Sequence, residues 1–421
     1  MDPVNILVLG AGQRGAEAYA PSALDNPRDA KIVGIADPRQ DRRDAMALAH
    51  HIPEENIFST WEDALDREKF ADAVIVATQD KMHFGPAIRA MEKGYHVLCE
   101  KPMAVDPEEC VKMGQAAKKY NRVLAICHVL RYTPFFSKIK QIVDSGVLGD
   151  IMSIQMRENV AYWHQAHSFV RGNWRNKAES SPMIMAKSCH DMDMLLWLMN
   201  SHCTQVSSYG HLSHFTPENA PEGAPARCLD GCPARSTCPY YAPKIYIDWK
   251  GVWQADVIRK VVSLDRSTEG LMKALQTGPY GRCVYHCDND VVDHQTVNLE
   301  FENGAVANFT MCAFTVEEGR TIKIMGTKGD LEGDSRLNKL SYSTFLEKDL
   351  HEVTVNSAGG HMGGDPAIME DFVRQVRSNG KVPGRTAAAQ SVESHLIALA
   401  AEESRVTGQN ICMKAYEERF L

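Results

Sequence analysis

Residues 4–15, VNILVLGAGQRG, decide the fold of the first part of the chain. The apolar run before the glycines is typical of a strand buried on both faces. In the G-x-G-x-x-G turn that follows, Gly10 permits a tight turn, Gly12 lets a pyrophosphate approach the backbone, and Gly15 allows helix and strand to pack closely. Free backbone amides at the start of the next helix favour an anion. The stretch therefore predicts a dinucleotide-binding unit.

An acid follows the second predicted strand at the position that such a unit requires. Residues 30–36 form this strand, and Asp37 lies 22 positions after Gly15. A carboxylate at this position hydrogen-bonds the adenosine ribose and repels a 2′-phosphate. NAD is therefore favoured as the cofactor, although Arg39 and Arg42 leave NADP open. A glycine turn that served only for packing would leave Asp37 unexplained.

One lysine is expected at the mouth of the nucleotide crevice. Further predicted strands at 70–78 and 95–100 continue the pattern of a doubly wound parallel sheet. Lys101 follows the second of them, and the proline after it biases it away from helical geometry. Beside a positively charged nicotinamide its neutral amine would be favoured, which suits proton transfer; the alternative is an ordinary surface lysine. These elements give the predicted cofactor contacts Gly10, Gly12, Gln13, Arg14, Gly15, Asp37, Thr78, His83, Glu100 and Lys101.

Composition narrows the class of protein. A chain of 421 residues is long enough for two domains. Its net charge of -8, without a basic stripe, argues against a nucleic-acid partner. The sequence contains no run of eighteen apolar residues and starts without the features of a signal peptide, so we expect a cytoplasmic protein that does not cross a membrane.

Aromatic and hydrogen-bonding residues crowd the segment 160–193. Such a mixture suits a sugar, because rings stack on C–H faces while polar groups meet hydroxyls. A contact between protomers, where Trp, Tyr and Arg are also common, is the alternative. Near the predicted hinge, Arg131 and Tyr132 either face the substrate or pack the hinge. The candidate substrate contacts are Arg131, Tyr132, Tyr162, Trp174, Arg175 and, in a glycine-rich loop, His361.

Residues 185–198, MAKSCHDMDMLLWL, contain the second candidate for proton transfer. They predict a helix with a broad apolar face from Asp193 onward. A histidine titrates near neutral pH, so His190 suits general acid–base work. Lys187 and Asp193 lie close to it in sequence, and such charged clusters often perturb the pKa of a catalytic group.

The glycine turn, Asp37, Glu100-Lys101-Pro102 and the H-x-x-D of His190 and Asp193 together resemble the glucose–fructose oxidoreductase / inositol dehydrogenase / MocA (Gfo/Idh/MocA) superfamily. The resemblance implies an NAD(P)-binding Rossmann domain, residues 1–128. It also implies a C-terminal α/β domain with an open, mainly antiparallel sheet for substrate binding and oligomerisation, residues 129–421. In this family the lysine lies near the nicotinamide and the substrate hydroxyl, the histidine acts as a general acid/base, and the open sheet face commonly pairs protomers. A homodimer or homotetramer is therefore expected.

One position departs from the family pattern. Many polyol dehydrogenases of the family place an aspartate four residues before the histidine, where this chain has Ala186. Lys187, one residue later, is the candidate substitute. The leading hypothesis is an NAD(P)-dependent oxidoreductase that transfers a hydride between a sugar or polyol and nicotinamide, with Lys101, His190, Lys187 and Asp193 as its catalytic set. The alternatives are an NAD-dependent glycosidase that oxidises its substrate transiently, and a non-enzymatic NAD-binding regulator.

Residues 214–290 are interpreted as an insertion in the second domain. Prolines open the segment, and three cysteines fall within eleven positions, with a distant pair later on. Such spacing is compatible with a structural zinc site that staples a segment otherwise poor in core. Disulfides and free thiols remain the alternatives. The candidate ligands are Cys228, Cys232, Cys238 and Cys283 or, in place of the last, Cys287.

Overall fold

The first sheet has the predicted Rossmann architecture. The structure is a computed structural model that describes residues 2–249, 253–356 and 360–420, apart from the side chains of Trp253, Gly360 and His361. Six parallel strands lie in the order β3-β2-β1-β4-β5-β6. This order places the carboxyl ends of β1 and β4 at the point where the winding reverses, where dinucleotides bind. The strands are β1 (Val4–Leu9), β2 (Ala30–Ala36), β3 (Ile57–Phe58), β4 (Ala73–Val76), β5 (His96–Cys99) and β6 (Leu124–Ile126).

The second sheet is open and mainly antiparallel, as the resemblance implied. Its order is β14-β13-β12-β11-β7-β10-β9-β8-β15, and of the described neighbours β7 and β10 run parallel while the other pairs run antiparallel. The strands are β7 (Ile151–Asn159), β8 (Cys203–His211), β9 (His294–Phe301), β10 (Val306–Cys312), β11 (Gly319–Gly326), β12 (Gly329–Asp334), β13 (Lys339–Thr344), β14 (His351–Thr354) and β15 (Ile411–Cys412).

Helices cover the parallel sheet and one face of the second sheet. Side chains along β7 alternate between buried and exposed, as expected for a sheet with one open face. Whether protomers pair through that face stays a prediction. The helices are α1 (Pro21–Asp25), α2 (Gln40–His50), α3 (Trp61–Asp66), α4 (Phe84–Glu92), α5 (Pro107–Lys119), α6 (Pro134–Asp144), α7 (Tyr162–His164), α8 (Met183–Ala186), α9 (Cys189–Met199), α10 (Trp253–Val262), α11 (Thr268–Thr277), α12 (Gly364–Arg377), α13 (Ala388–Thr407) and α14 (Met413–Glu417). In the described part of the chain, none of them has the length and apolar character needed to cross a membrane.

The core beneath the first sheet includes a helix from the far end of the chain. Ile368 and Phe372 of α12 are fully buried in one apolar cluster with Ile6 and Val8 of β1. The division of the chain at residue 128 stays a prediction, but the first 128 residues do not supply this core alone.

The predicted insertion separates two neighbouring strands. β8 and β9 pair directly with each other, and the chain between them leaves the sheet and returns. Contrary to expectation, this excursion is not poor in core. Phe215, Tyr240, Tyr246 and Leu275 form an apolar cluster with residues of the aromatic segment, including Trp163. The sequence had suggested a loop because its prolines come first and its aromatic residues are widely spaced.

Three buried histidines make the fold sensitive to acid. The Nδ1 atom of His96 accepts a hydrogen bond from the Val123 amide at 3.0 Å, and Nε2 of His395 accepts one from the Met103 amide at 2.9 Å. Burial is the main cause that lowers the pKa of His96 to about 4 and that of His167 and His395 to about 3. All three rings are therefore neutral in the folded protein at pH 5.

Lowering the pH from 7.5 to 5 should reduce the free energy of unfolding markedly. In the unfolded chain a histidine takes up a proton below about pH 6.5, whereas these folded rings do not, so stability falls as the pH drops from about 6.5 toward 4. Each ring should cost about 2 kcal/mol at pH 5. Urea unfolding at a series of pH values measures the slope. In His96→Asn, which keeps an acceptor for the amide, the slope should be measurably shallower. An unchanged slope would show that His96 does not contribute to the acid sensitivity.

Candidate active site

The glycine turn has the shape that a pyrophosphate needs. Gly10 has a φ of 98°, and a Cβ there would lie 2.4 Å from the carbonyl oxygen of Ala77. A Cβ on Gly15 would lie 2.0 Å from the carbonyl oxygen of Gly10. At Gly12 the nearest atom to a Cβ would be the Arg42 guanidinium at 3.7 Å, so this side of the turn is open. A π-helical segment then begins at Gln13, and the first amides of a helix have no partner within the helix and can bind an anion.

Asp37 is fixed at the end of β2, beside this turn. Its carboxylate is 4% exposed and accepts hydrogen bonds from the backbone amides of Ala11 at 2.8 Å and Arg39 at 2.9 Å. The Arg42 guanidinium lies 3.7 Å from the same carboxylate. The acid is thus held at the position expected for a ribose contact, and the residues of the cradle fit a dinucleotide.

Glu100 orders the turn that carries Lys101. Its buried carboxylate accepts hydrogen bonds from Nε of Arg14 at 2.5 Å, from the Tyr19 hydroxyl and from the backbone amide of Lys101 at 2.9 Å. Burial raises the pKa of Glu100, but Arg14 and Lys101 outweigh it and hold the pKa below its ordinary value. Arg14 also pairs with Asp365 at 2.8 Å. Glu100 and Arg14 therefore tie the glycine turn to the lysine turn; a direct contact with the cofactor stays a prediction.

His83 joins the two loops that frame the crevice. Its ring is buried, with Nδ1 2.7 Å from the carbonyl oxygen of Pro102 and Nε2 3.1 Å from that of Thr78. The Thr78 hydroxyl donates to the Met82 carbonyl at 3.0 Å. Both residues shape the crevice next to the carboxyl end of β4.

Lys101 and His190 come from distant parts of the sequence to one site. Nζ of Lys101 donates to the carbonyl oxygen of Ala186 at 2.8 Å, at the end of α8, and His190 lies in the first turn of α9. His128 is a neighbour of His190, with the ring centroids 6.1 Å apart. Burial, together with the charges of Arg131 and Lys101, lowers the pKa of His128 well below its ordinary value. Apart from its place after β6, no sequence pattern indicated that His128 belongs to the site.

Lys187 belongs to a cluster of charges next to His190. Its Nζ lies 3.2 Å from Oε1 of Glu158, and Arg320 contacts Glu158 at 3.0 Å and Asp191 at 2.6 Å. Burial raises the pKa of Asp191, with Arg320 opposing the rise. Two buried carboxylates thus lie near the position where the relay aspartate is missing. Glu158 and Arg320 were not foreseen, because they face each other only through the pairing of β7 with β11.

Asp193 lies in a buried ion pair, and its carboxylate is also 3.5 Å from Nε2 of His128. Its carboxylate receives two hydrogen bonds from Arg131, both at 2.7 Å, and each side chain is 1% exposed. Arg131 also donates to the carbonyl oxygen of Arg385, while the Tyr132 hydroxyl donates to Asp371 at 2.6 Å. Of the two interpretations of Arg131 and Tyr132, hinge packing therefore fits the structure. In the structure the carboxylate of Asp193 ties α9 to Arg131, and a catalytic role for it stays a prediction.

Trp174 closes one side of the crevice. Its indole nitrogen donates to Asp80, which follows β4, at 3.1 Å. Arg175 points the other way and pairs with Asp288 at 2.8 Å. Tyr162 packs edge-on against Tyr240 of the insertion. The side chain of His361, the remaining candidate substrate contact, lies outside the described residues.

The four candidate metal ligands, Cys228, Cys232, Cys238 and Cys283, line one small cavity in the insertion. Among the residues that the structure describes, however, no three or more His, Cys, Asp or Glu side chains are arranged to hold a metal ion as they stand. A metal site is thus not shown at these thiols.

Comparison with known proteins identifies the family. Residues 4–128 match the family model described as the oxidoreductase family with an NAD-binding Rossmann fold, and residues 140–413 match its C-terminal α/β domain. The chain belongs to the Gfo/Idh/MocA oxidoreductase family. YteT of Bacillus subtilis is 26% identical to this family member over 392 residues, 87% of this chain and 88% of that protein.

Two further similarities concern sugars. The 2,7-anhydro-N-acetylneuraminate hydratase of Escherichia coli is 30% identical over 216 residues, which cover 51% of this chain and only 55% of that protein. A levoglucosan dehydrogenase, solved in complex with NADH and L-sorbose, has a TM-score of 0.71 at 19% identity and covers 98% of this chain and 99% of that one. The latter likeness shows the Gfo/Idh/MocA fold alone.

Proposed function

We propose that this protein is an NAD-dependent dehydrogenase that oxidises a secondary alcohol of a sugar or polyol. The observation that carries the proposal is the contact between Lys101 and the end of α8, four residues before His190. Lys101 lies in the same domain as the glycine turn and Asp37, which fit a dinucleotide. Membership of an NAD-binding oxidoreductase family supports the reaction class. The aromatic side of the crevice, with Trp174 held by Asp80, supports a carbohydrate.

The residues of this chain would handle the proton of the reaction. NAD, when bound, supplies the hydride acceptor. His190 would take the proton of the substrate hydroxyl as the C–H bond breaks, and Lys101 would hold the hydroxyl oxygen by a hydrogen bond. Because Nζ of Lys101 is anchored to the Ala186 carbonyl, its reach is restricted to this part of the crevice. Lys187 would bind a neighbouring hydroxyl, since its amine is partly exposed beside Glu158.

NAD is proposed over NADP. The buried carboxylate of Asp37 would accept from a ribose hydroxyl and would repel a 2′-phosphate. The Arg42 guanidinium lies 3.7 Å from the Asp37 carboxylate, which already offsets its charge. We therefore expect NAD to support faster turnover than NADP at equal concentration.

A second candidate is a redox-neutral reaction on a glycoside, in which transient oxidation permits elimination or hydration before the hydride returns. Two observations favour it: Ala186 replaces the relay aspartate of polyol dehydrogenases, and the hydratase of Escherichia coli is a relative. This reaction would turn over without accumulating NADH.

A panel of free sugars, polyols and glycosides with NAD or NADP tests both candidates. Formation of NADH, followed by absorbance, together with an oxidised product in mass spectrometry, is the outcome expected for the dehydrogenase. Cleavage or hydration of a glycoside with a constant NADH level would select the second candidate. Tight NAD binding without turnover of any member of a broad panel would contradict both and favour a regulator.

A further inference from the structure

Four thiols surround one cavity in the insertion, outside the candidate active site. Cys228, Cys232, Cys238 and Cys283 line a space of about 10 Å³, which is roughly the room of one water-sized sphere. The backbone brings distant members together: the amide of Cys228 donates to the Gly281 carbonyl at 3.0 Å, and that of Cys283 donates to the Ala226 carbonyl at 2.9 Å. Backbone hydrogen bonds within the insertion therefore bring these cysteines close together.

Backbone amides point at the sulfur atoms. The amide of Ala242 donates to Sγ of Cys228 at 3.5 Å. The amides of Tyr240 and Tyr285 likewise interact with the sulfurs of Cys238 and Cys283. Such donors stabilise thiolates, which are the form of cysteine that binds metals.

Arg171 supplies the second, independent observation. Its guanidinium is 1% exposed, lines the same cavity, and approaches Sγ of Cys228 at 3.6 Å. Two of its nitrogens donate to the carbonyl oxygens of Arg282 and Tyr240, both at 2.7 Å, and the Tyr246 hydroxyl lies next to the guanidinium. Among the described residues, the acidic groups that act on it are Tyr246 and cysteine thiols, and no carboxylate is one of them. A buried cation without a counterion is costly, so negative charge is expected in the cavity.

We propose that Cys228, Cys232, Cys238 and Cys283 bind one structural zinc ion, with Arg171 balancing its charge. Four thiolates around a divalent ion leave two negative charges, which a fixed guanidinium would partly neutralise. Zinc accepts four sulfurs in a tetrahedron, and the cavity suits a single ion better than a cluster. Since no three of these side chains are arranged as a finished coordination shell, the thiols must turn inward when the ion displaces their protons.

The proposed ion would stabilise the aromatic side of the crevice. Cys228 and Cys283 lie in the same apolar cluster as Trp163 and Val170. Arg171 follows directly, and Trp174 is three residues further on. The ion would thereby fix the segment that contacts Asp80, without taking part in the reaction. This role does not depend on which reaction the site performs.

Metal content tests the proposal. Full-length protein, purified without an affinity tag or chelator, should contain close to one zinc per chain by inductively coupled plasma mass spectrometry. Replacement of zinc by Co²⁺ should give the intense visible and near-ultraviolet bands of tetrahedral thiolate cobalt. Cys228→Ser and Cys283→Ser should each hold less than a tenth of the zinc, and Cys412→Ser, at an exposed thiol, should hold all of it.

Measurements on the same preparation can also contradict the proposal. Twelve titratable thiols in the denatured protein, with no bound metal, would overturn the proposal. So would disulfides among the four cysteines in an alkylation experiment, or iron with the broad absorbance of an iron–sulfur cluster. If the serine variants fail to fold, the cobalt spectrum of the unaltered chain still decides, since oxygen or nitrogen ligands give much weaker bands.

Discussion

Lys101→Met should lower kcat by roughly 10²–10⁴-fold, the range in which a positioned proton-transfer group contributes to catalysis. The substitution keeps the length of the side chain but removes the amine that is anchored to the Ala186 carbonyl. NAD binding, measured by fluorescence titration, should persist because the glycine turn and Asp37 are unchanged. Initial rates with the substrate found in the sugar panel measure the effect.

Two further variants test whether the loss of activity reflects proton transfer at this site. His190→Asn should lose a similar factor, and the double variant should lose little more, because residues that act as one unit are far from additive. Lys118→Met, on the exposed face of α5, is the matched control and should retain full activity. A loss below about threefold in Lys101→Met would remove the lysine from the proposed proton transfer.

Asp193→Ala should destabilise the fold by about 3–5 kcal/mol, because it leaves the buried Arg131 guanidinium without its counterion. Burial raises the pKa of Asp193, and Arg131 opposes the rise, so the pair is charged at the expense of desolvation. Urea unfolding at pH 7.5 measures the change. Below the unfolding transition, kcat should fall far less than in Lys101→Met, since the carboxylate of Asp193 is already bound by Arg131.

A double variant separates the ion pair from the packing. Arg131→Met with Asp193→Leu should recover much of the lost stability, since apolar residues of similar size often replace a buried pair at no cost. Equal destabilisation in the single and double variants would show that the remaining hydrogen bonds of Arg131, to the Arg385 carbonyl and Gln390, dominate instead.

Local patterns in the sequence were sufficient to predict the first sheet, the glycine turn and Asp37. Each depends on a short run of residues, in which the spacing of the apolar residues and the positions of the glycines can be recognised without knowledge of the fold. The family resemblance supplied the second sheet and drew attention to His190. By contrast, the cluster of Glu158, Asp191 and Arg320 depends on which residues face each other across β7 and β11, and no local pattern records that pairing.

Burial was the other quantity that the sequence did not reveal. Arg131 and Asp193 have residue types common in active sites, yet the structure uses them to pair the hinge with α9. The opposite holds for His128, which is fully buried beside His190. It is a single histidine after β6, and no sequence pattern distinguished it as a site residue. Charged and aromatic residues thus become interpretable only when their surroundings are known.

The contribution of α12 to the first sheet has a consequence for biosynthesis. The glycine turn leaves the ribosome early, but Asp365, which pairs with Arg14, is translated 351 residues later. Until then the apolar surface of β1 that Ile368 and Phe372 will cover stays exposed. The nascent chain must therefore keep this surface shielded, and the nucleotide cradle becomes complete only after α12 has been translated.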